Sequence, residues 1–287
     1  MLSQQQIDAY NRDGVLLVEN VADAATLSLM RRALADLVAK SASVTRHDDI
    51  YDLEPTHSAA NPRLRRVKQP TLRHPVFREF MTSEPLLSIL KQLLGPNIRM
   101  HNSKLNVKSP DGGSGVEWHQ DWAFHPHTNA SLLAVGLMME DCTMENGPML
   151  VLPGSHKGPV YDHNADGRFC GAIDPQTVHL DYEHRIACVG KAGTISIHHT
   201  LAVHGSANNT SEFPRPLLLY EFMAADAWPL MGVKDLAEFD SRMVCGETTY
   251  SPRLEAVAVR LPLPEADKAG SIYENQTAIK RRYFAPV

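Results

Sequence analysis

The sequence predicts a mainly β protein in which α-helices flank an antiparallel β-core. Two observations predict this fold class. Apolar residues recur at helical spacing within about the first 97 residues. From about residue 98, short β-like runs follow one another, divided by Gly, Pro, Asn and Asp. Runs of this length favour a sandwich or barrel over alternating βα units.

Three helices are predicted in the N-terminal part. The first opens at Ser3 with a capping-box pattern and ends at Gly14. The second is capped by Asp23 and carries one continuous apolar face. The third begins at Ser83 and stops at Gly95.

The strand predictions begin where the helices end. A polar segment between about 41 and 75 has no sustained period, so we expect a loop there, which is a candidate cover for a site. The predicted strands follow in the runs IRMHNSKLNVK, LLAVGLMMEDC, MLVLPGSH, GTISIHHTLAVH and RPLLLYEFMAA.

Composition predicts a soluble, cytoplasmic protein. The net charge of −5 is mild, and Lys and Arg are scattered, which argues against a nucleic-acid or membrane partner. The four cysteines form no C-x-x-C pair, so a thiolate metal site is not expected. The polar N-terminus lacks a secretory pattern, and no run reaches the ~18 apolar residues of a membrane helix. The oligomeric state is left open.

One domain is predicted, because the chain has no internal repeat and no convincing linker. We expect it to span residues 1–287 in three parts. These are a helical part over about 1–97, a β-core over about 98–226 and a C-terminal extension over about 227–287.

Four polar residues form the chemical signature of the chain. His119 and Asp121 lie two apart, so in an extended stretch their side chains point to the same face. His204 follows a strand-like run, and with them it makes the two-histidine, one-carboxylate set that leaves positions open on iron(II). Arg215 would supply a rigid two-pronged donor for a carboxylate. The same residues could also be unrelated surface groups or hold a purely structural metal.

The motifs around these residues resemble one family. The H-x-D at 119–121, the phrase ENGPMLVLPGSHKG at 145–158 and HGSANNTSEFPR at 204–215 resemble the phytanoyl-CoA dioxygenase family of iron(II)- and 2-oxoglutarate-dependent oxygenases. The phrase RDGVLLVEN at 12–20 belongs to the same resemblance. The resemblance implies a double-stranded β-helix, a cupin-like jelly roll that holds iron between its two sheets.

The resemblance also implies roles for individual residues. His119, Asp121 and His204 match the catalytic iron ligands, Arg215 matches the residue that binds the distal carboxylate of 2-oxoglutarate, and Ser206 matches a hydroxyl that assists it. Further positions follow from the strand before H-x-D and from its flank. Asn106 and Lys104 are expected at the co-substrate, and Asn102 and Trp122 at the substrate.

The implied activity is hydroxylation of an unactivated carbon of a small organic substrate. Iron(II), 2-oxoglutarate and O2 would be required, and succinate and CO2 would be released. The alternative is a non-catalytic jelly-roll protein that binds a metal or a carboxylate. The remaining histidines are interpreted as structural or peripheral: His125 and His127 at the rim or surface, and His101, His198 and His199 in the core or in turns.

Overall fold

The computed structural model describes residues 1–110, 115–261, 263, 272–279 and 282–284. Among them, no helix has the length and apolar character needed to cross a bilayer. The helices lie mainly before the β-core, as predicted. They are α1 (Gln4–Asp13), α2 (Ala24–Lys40), α3 (Pro75–Met81), α4 (Glu84–Leu94), α5 (Leu236–Ser241) and α6 (Ile272–Asn275).

The helix signals in the sequence act as predicted. The Ser3 hydroxyl accepts a hydrogen bond from the backbone N–H of Gln6, and the Gln6 side chain accepts one from the backbone N–H of Ser3. Gly14 ends α1 in the left-handed conformation, at φ 74°, which glycine adopts without strain. The Asp23 carboxylate accepts a hydrogen bond from the backbone of Thr26 at 2.7 Å and so caps α2.

The strands form two facing sheets and one hairpin. They are β1 (Val15–Val18), β2 (Tyr51–Leu53), β3 (Leu64–Lys68), β4 (Ile98–Lys108), β5 (Val116–His119), β6 (Leu132–Met138), β7 (Met149–Val151), β8 (Asn164–Ala165), β9 (Arg168–Phe169), β10 (Ile186–Cys188), β11 (Ile195–His199), β12 (His204–Ser206), β13 (Arg215–Ala224) and β14 (Met243–Cys245).

In the described part of the chain, the larger sheet has eight strands in the order β1-β11-β6-β13-β4-β3-β2, with β14 also paired to β4. The smaller sheet has the order β10-β7-β12-β5, and β8 pairs with β9. Every strand pair is antiparallel. The predicted mainly β, jelly-roll fold is confirmed. The prediction of a single domain with the three stated parts stays a prediction.

The prediction of a loop across residues 41–75 is wrong. The segment contains β2 and β3, which extend the larger sheet beside β4. The run LRRVK lacks the strand pattern because its buried arginine, Arg66, breaks the alternation of apolar and polar residues. Arg66 lies 3.8 Å from the buried carboxylate of Asp52, so both charges are compensated inside the fold.

Two apolar layers hold the sheets in place. Buried side chains of the N-terminal helices, such as Met30, Phe77 and Leu86, belong to one cluster with residues of the larger sheet. A smaller cluster, with Met138 and Val151, includes residues of both sheets. Polar side chains of β4 and β13 occupy the space beside this second cluster, which is where the candidate site lies.

Candidate active site

Three side chains from the smaller sheet and its edge converge on one point. His119 ends β5 and is paired in register with His204, the first residue of β12. Asp121 opens the short 3-10 turn that follows β5. The Nε2 atoms of His119 and His204 lie 3.7 and 3.8 Å from the same oxygen of Asp121, Oδ1. All three residues are buried.

The hydrogen bonds of the two imidazoles favour metal binding. The Nδ1 atom of His119 lies 2.8 Å from the carbonyl oxygen of Glu117, and that of His204 lies 3.0 Å from the carbonyl oxygen of Ala202. A carbonyl only accepts, so each Nδ1 carries the proton and donates it, which leaves the Nε2 lone pairs directed toward Asp121. Two imidazoles and a carboxylate without thiolate are a donor set that fits iron(II).

The backbone conformation at Asp121 differs from the expectation. The extended strand stops at His119, and Asp121 reaches the site from a 3-10 turn instead of from the strand itself. Gln120, between them, points away and is fully buried. Its side-chain amide donates to the carbonyl of Leu201 at 2.8 Å and accepts from the backbone of Tyr161 at 2.9 Å, which anchors the turn.

His198 is a site residue that the sequence interpretation missed. It is buried in β11, and its Nε2 lies 3.2 Å from Oδ2 of Asp121, the oxygen that does not face the other two histidines. Burial alone would raise the pKa of Asp121. The surrounding His204, His119 and His198 outweigh it and hold that pKa well below its ordinary value, so Asp121 is a carboxylate. No local sequence signal separates His198 from its neighbour His199.

A cavity with about 590 Å³ of empty space, partly open to solvent, extends from these residues between the sheets. Seven of the nine predicted site residues line it: His119, Asp121, His204, Arg215, Ser206, Asn106 and Lys104. The cavity is also lined by polar residues that were not predicted, namely Arg66, Lys108, His198 and Tyr273.

Arg215 lies at the start of β13, paired in register with Lys108 of β4. Its Nη2 donates to the carbonyl of Gly147 at 2.7 Å, but its buried Nε has no hydrogen-bond partner among the described residues. Burial, and then the neighbouring Arg215, lower the pKa of Lys108 well below its ordinary value. An anionic group would satisfy the free Nε and relieve the repulsion between the two cations.

Asn102 and Trp122 lie elsewhere. The Asn102 side chain accepts from the backbone of Ser103 at 2.8 Å, and the residue lines a different depression, together with Arg78 and Arg242. Trp122 is 1% exposed and donates through its indole N–H to the carbonyl of Ala258 at 2.9 Å. Neither residue lines the cavity, although substrate contact was predicted for both.

Comparisons with known proteins agree with the geometry. The profile of the phytanoyl-CoA dioxygenase (PhyH) family matches residues 10–217. A probable alpha-ketoglutarate-dependent hypophosphite dioxygenase of Stutzerimonas stutzeri is 35% identical, over 99% of this chain and all of that protein. The ectoine dioxygenase of Sphingopyxis alaskensis is 26% identical over 75% of this chain and 73% of its own.

A solved structure carries the same fold. The crystal structure of EctD from S. alaskensis with bound Fe superposes with a TM-score of 0.66 at 25% identity, covering 78% of this chain and 77% of that one. The relatives are dioxygenases that act on small molecules, so the enzyme class predicted from the motifs is confirmed over the alternative of a non-catalytic binding protein. The chain belongs to the phytanoyl-CoA dioxygenase family.

Proposed function

We propose that this protein is an iron(II)- and 2-oxoglutarate-dependent dioxygenase that oxygenates a small anion. His119, Asp121 and His204 hold the iron, and Arg215 with Ser206 binds the distal carboxylate of 2-oxoglutarate. One observation carries the proposal. A single cavity has the candidate metal-binding atoms at one place in its wall and, at another, a buried arginine N–H with no hydrogen-bond partner in the described part of the chain.

When bound, the iron supplies O2 activation coupled to decarboxylation of 2-oxoglutarate, with succinate and CO2 as products. The residues of the chain position the reactants. The two carbonyls that hold Nδ1 of His119 and His204 fix the imidazole planes. The guanidinium of Arg215 fixes the orientation of the diacid, and burial of the three metal-binding side chains limits the water around them.

The charge of the cavity wall supports an anionic substrate. Arg66, Lys104, Lys108 and Arg215 line the cavity, and Asp121 is the one carboxylate among the described lining residues. The charges of a ferrous ion and a 2-oxoglutarate dianion cancel. Glu221 compensates Lys104, and Asp52 lies within ion-pair distance of both Arg66 and Lys68. Among the described residues, Lys108 and Arg215 are left without a carboxylate partner, which favours binding of a further anion.

The comparisons indicate which anion to test first. The match to the probable hypophosphite dioxygenase runs through the C-terminal extension, whereas the match to the ectoine dioxygenase covers about three quarters of the chain. Hypophosphite is a small monoanion, and insertion of one oxygen atom into a P–H bond would convert it to phosphite. Ectoine, a zwitterion, is the natural comparison for carbon hydroxylation.

The test is succinate release by the iron-loaded protein with hypophosphite or ectoine, with phosphite measured in parallel. We expect hypophosphite to raise succinate above the substrate-free rate and phosphite to form in equal amount.

An Arg215→Leu variant should need about 100-fold more 2-oxoglutarate, because a buried, charge-assisted contact is lost. Uncoupled turnover with every substrate would contradict the small-anion assignment, and an unchanged 2-oxoglutarate requirement would contradict the role of Arg215.

A cytoplasmic location and the absence of nucleic-acid or membrane partners stay predictions from the sequence.

A further inference from the structure

The C-terminal extension returns to the site. We call its described residues 272–276 and 282–284 the C-terminal strap. Gln276, 2% exposed, joins the strap to β5: its Oε1 accepts from the backbone N–H of Glu117 at 3.0 Å, and its Nε2 donates to the carbonyl of Gly171 at 3.0 Å. The carbonyl of Glu117 is the one that orients His119. The strap therefore contacts β5 at Glu117, two residues before the metal-binding side chain of His119.

Glu117 holds the other end of the strap. Its buried carboxylate accepts hydrogen bonds from the backbone N–H groups of Tyr283 at 2.8 Å and Phe284 at 3.2 Å. The Phe284 ring packs against Trp118, and it lies so close to Gly205 that a Cβ there would approach it to 2.9 Å. A buried carboxylate that accepts hydrogen bonds from two successive backbone N–H groups is a specific anchor, not a solvated surface contact.

Two strap residues, Ile272 and Tyr273, line the cavity, and Tyr273 is the polar one. It is 7% exposed and lines the cavity together with Arg215 and Arg66. The guanidinium carbons of Arg65 and Arg66 lie 4.8 and 5.6 Å from its ring centroid, so cation–π contacts fix the ring. None of the hydrogen bonds of the described residues involves its hydroxyl, which leaves the O–H available to a ligand.

The cavity wall indicates which ligand the Tyr273 hydroxyl serves. Tyr273 and Arg215 line the same cavity, so one bound ligand can contact both side chains. Among the described residues, neither the buried Nε of Arg215 nor the phenol O–H of Tyr273 has a hydrogen-bond partner, and both side chains line this cavity. Two such donors match the oxygens of a single carboxylate.

We infer that Tyr273 binds the distal carboxylate of the dicarboxylate co-substrate beside Arg215, and that Glu117 and Gln276 are positioning residues that hold the strap for this contact. The inference rests on the proposed function. It assigns part of the co-substrate site to the C-terminal extension, which lies outside the matched family segment at residues 10–217.

The experiment measures 2-oxoglutarate affinity under argon, from the visible absorption of the iron(II) complex, without turnover. Tyr273→Phe keeps the ring stacked on the arginines and removes only the hydroxyl. Tyr283→Phe is the matched control, since Tyr283 lies in the same strap but packs on Trp118 and does not line the cavity. We expect affinity about 10-fold weaker in Tyr273→Phe, the usual effect of losing one hydrogen bond to a charged group, and no change in the control.

A second variant tests the positioning role. Glu117→Gln weakens the anchor, so 2-oxoglutarate affinity should fall while iron affinity stays unchanged. In the double variant with Tyr273→Phe the two effects should not add, because both act through one contact. Equal 2-oxoglutarate affinity of wild type and Tyr273→Phe would overturn the inference. Absence of any 2-oxoglutarate binding by the iron-loaded wild type would instead refute the proposed function.

Discussion

Two groups of side chains in the described part of the chain each contain two histidines and one carboxylate, and we propose that only one of them holds a metal. The first group is His119, Asp121 and His204, and the second is His101, His125 and Glu221. In each, the potential ligand atoms lie within 4.8 Å of one another. Residue type and spacing alone therefore do not separate the two groups, and the distinction must come from the surrounding atoms.

The carboxylates differ in what they already bind. Oε1 of Glu221 lies 2.7 Å from Nζ of Lys104, and this ammonium outweighs burial and lowers the pKa of Glu221 to about 2. Oδ1 of Asp121 faces two imidazole nitrogens at 3.7 and 3.8 Å, too far for hydrogen bonds. The first spacing is that of a completed ion pair, and the second leaves the carboxylate oxygen and the two imidazole nitrogens able to bind one cation together.

The imidazoles differ as well. The rings of His101 and His125 stack with centroids 4.5 Å apart, and neither residue lines the cavity. Burial, and then the neighbouring His125, hold the pKa of His101 well below its ordinary value. The second group is thus a neutralised polar patch behind the cavity wall. The lesson is that the partners of a carboxylate, more than its neighbouring histidines, decide whether a cation can bind.

The largest expected effect separates the two groups directly. His119→Ala or His204→Ala should abolish stoichiometric iron binding and 2-oxoglutarate-dependent succinate formation, because a two-residue remnant cannot fix the ion. His101→Ala and His125→Ala are the matched controls and should bind one iron per chain like the wild type. Anaerobic iron titration and a succinate assay provide the readouts. Loss of iron in the controls alone would assign the metal to the second group.

A smaller effect is expected from His198, which supports Asp121 from the side opposite the metal-binding histidines. His198→Phe preserves the ring volume but removes the donor to Oδ2, so metal affinity should fall about 10- to 100-fold, as for other residues that orient a ligand. His199→Asn, at the next position in the same strand, is the control and should bind metal normally. Unaltered Co(II) affinity in His198→Phe would show that Asp121 keeps its orientation without this contact.

The strands that carry the site were predictable because their patterns are local. The run at 98–108 coincides with β4, and the run that opens at Arg215 begins β13. His198 could not be recognised, because its importance comes from a contact with Asp121 across the two sheets, 77 residues away in the chain. Tyr273 was missed for a similar reason, since no motif marks the return of the C-terminal extension.

Departures from regular structure explain the placement of the two predicted residues that lie outside the cavity. The register of β13 on β4 shifts between Glu221 and Phe222, opposite Asn102 and Met100, and a shift of this kind redirects side chains in a way that alternation cannot predict. Trp122 follows the point where β5 gives way to a 3-10 turn, so its indole turns into a separate apolar cluster. The sequence contains no clear signal for either change.

The second group should bind a metal once its carboxylate no longer pairs with Lys104. Lys104→Met removes the ammonium from Glu221 and leaves a buried carboxylate beside two histidines, which should now accept a cation. We expect the number of Co(II) ions bound per chain to rise from one to two in an equilibrium titration. The double variant Lys104→Met, Glu221→Gln is the control and should return to one. A single ion in Lys104→Met would mean that the ion pair is not what keeps a metal from this group.

The smallest expected effect is on the acid sensitivity of the fold. Glu221 titrates at about 2 in the folded protein and at about 4.3 when unfolded. A carboxyl with a depressed folded pKa stabilises the fold fully above its unfolded pKa and loses that contribution as the pH falls toward the folded value. The free energy of unfolding of wild type should therefore exceed that of Glu221→Gln at pH 7, with a gap that narrows below about pH 5. The free energy of unfolding is measured by urea titration at pH 7 and at pH values below about 5. Glu238→Gln is the control, because Glu238 pairs with Arg242 at the surface, where ion pairs contribute little to the free energy of unfolding. A gap of constant size from pH 7 to the acid limit of the fold would show that folding does not lower the pKa of Glu221.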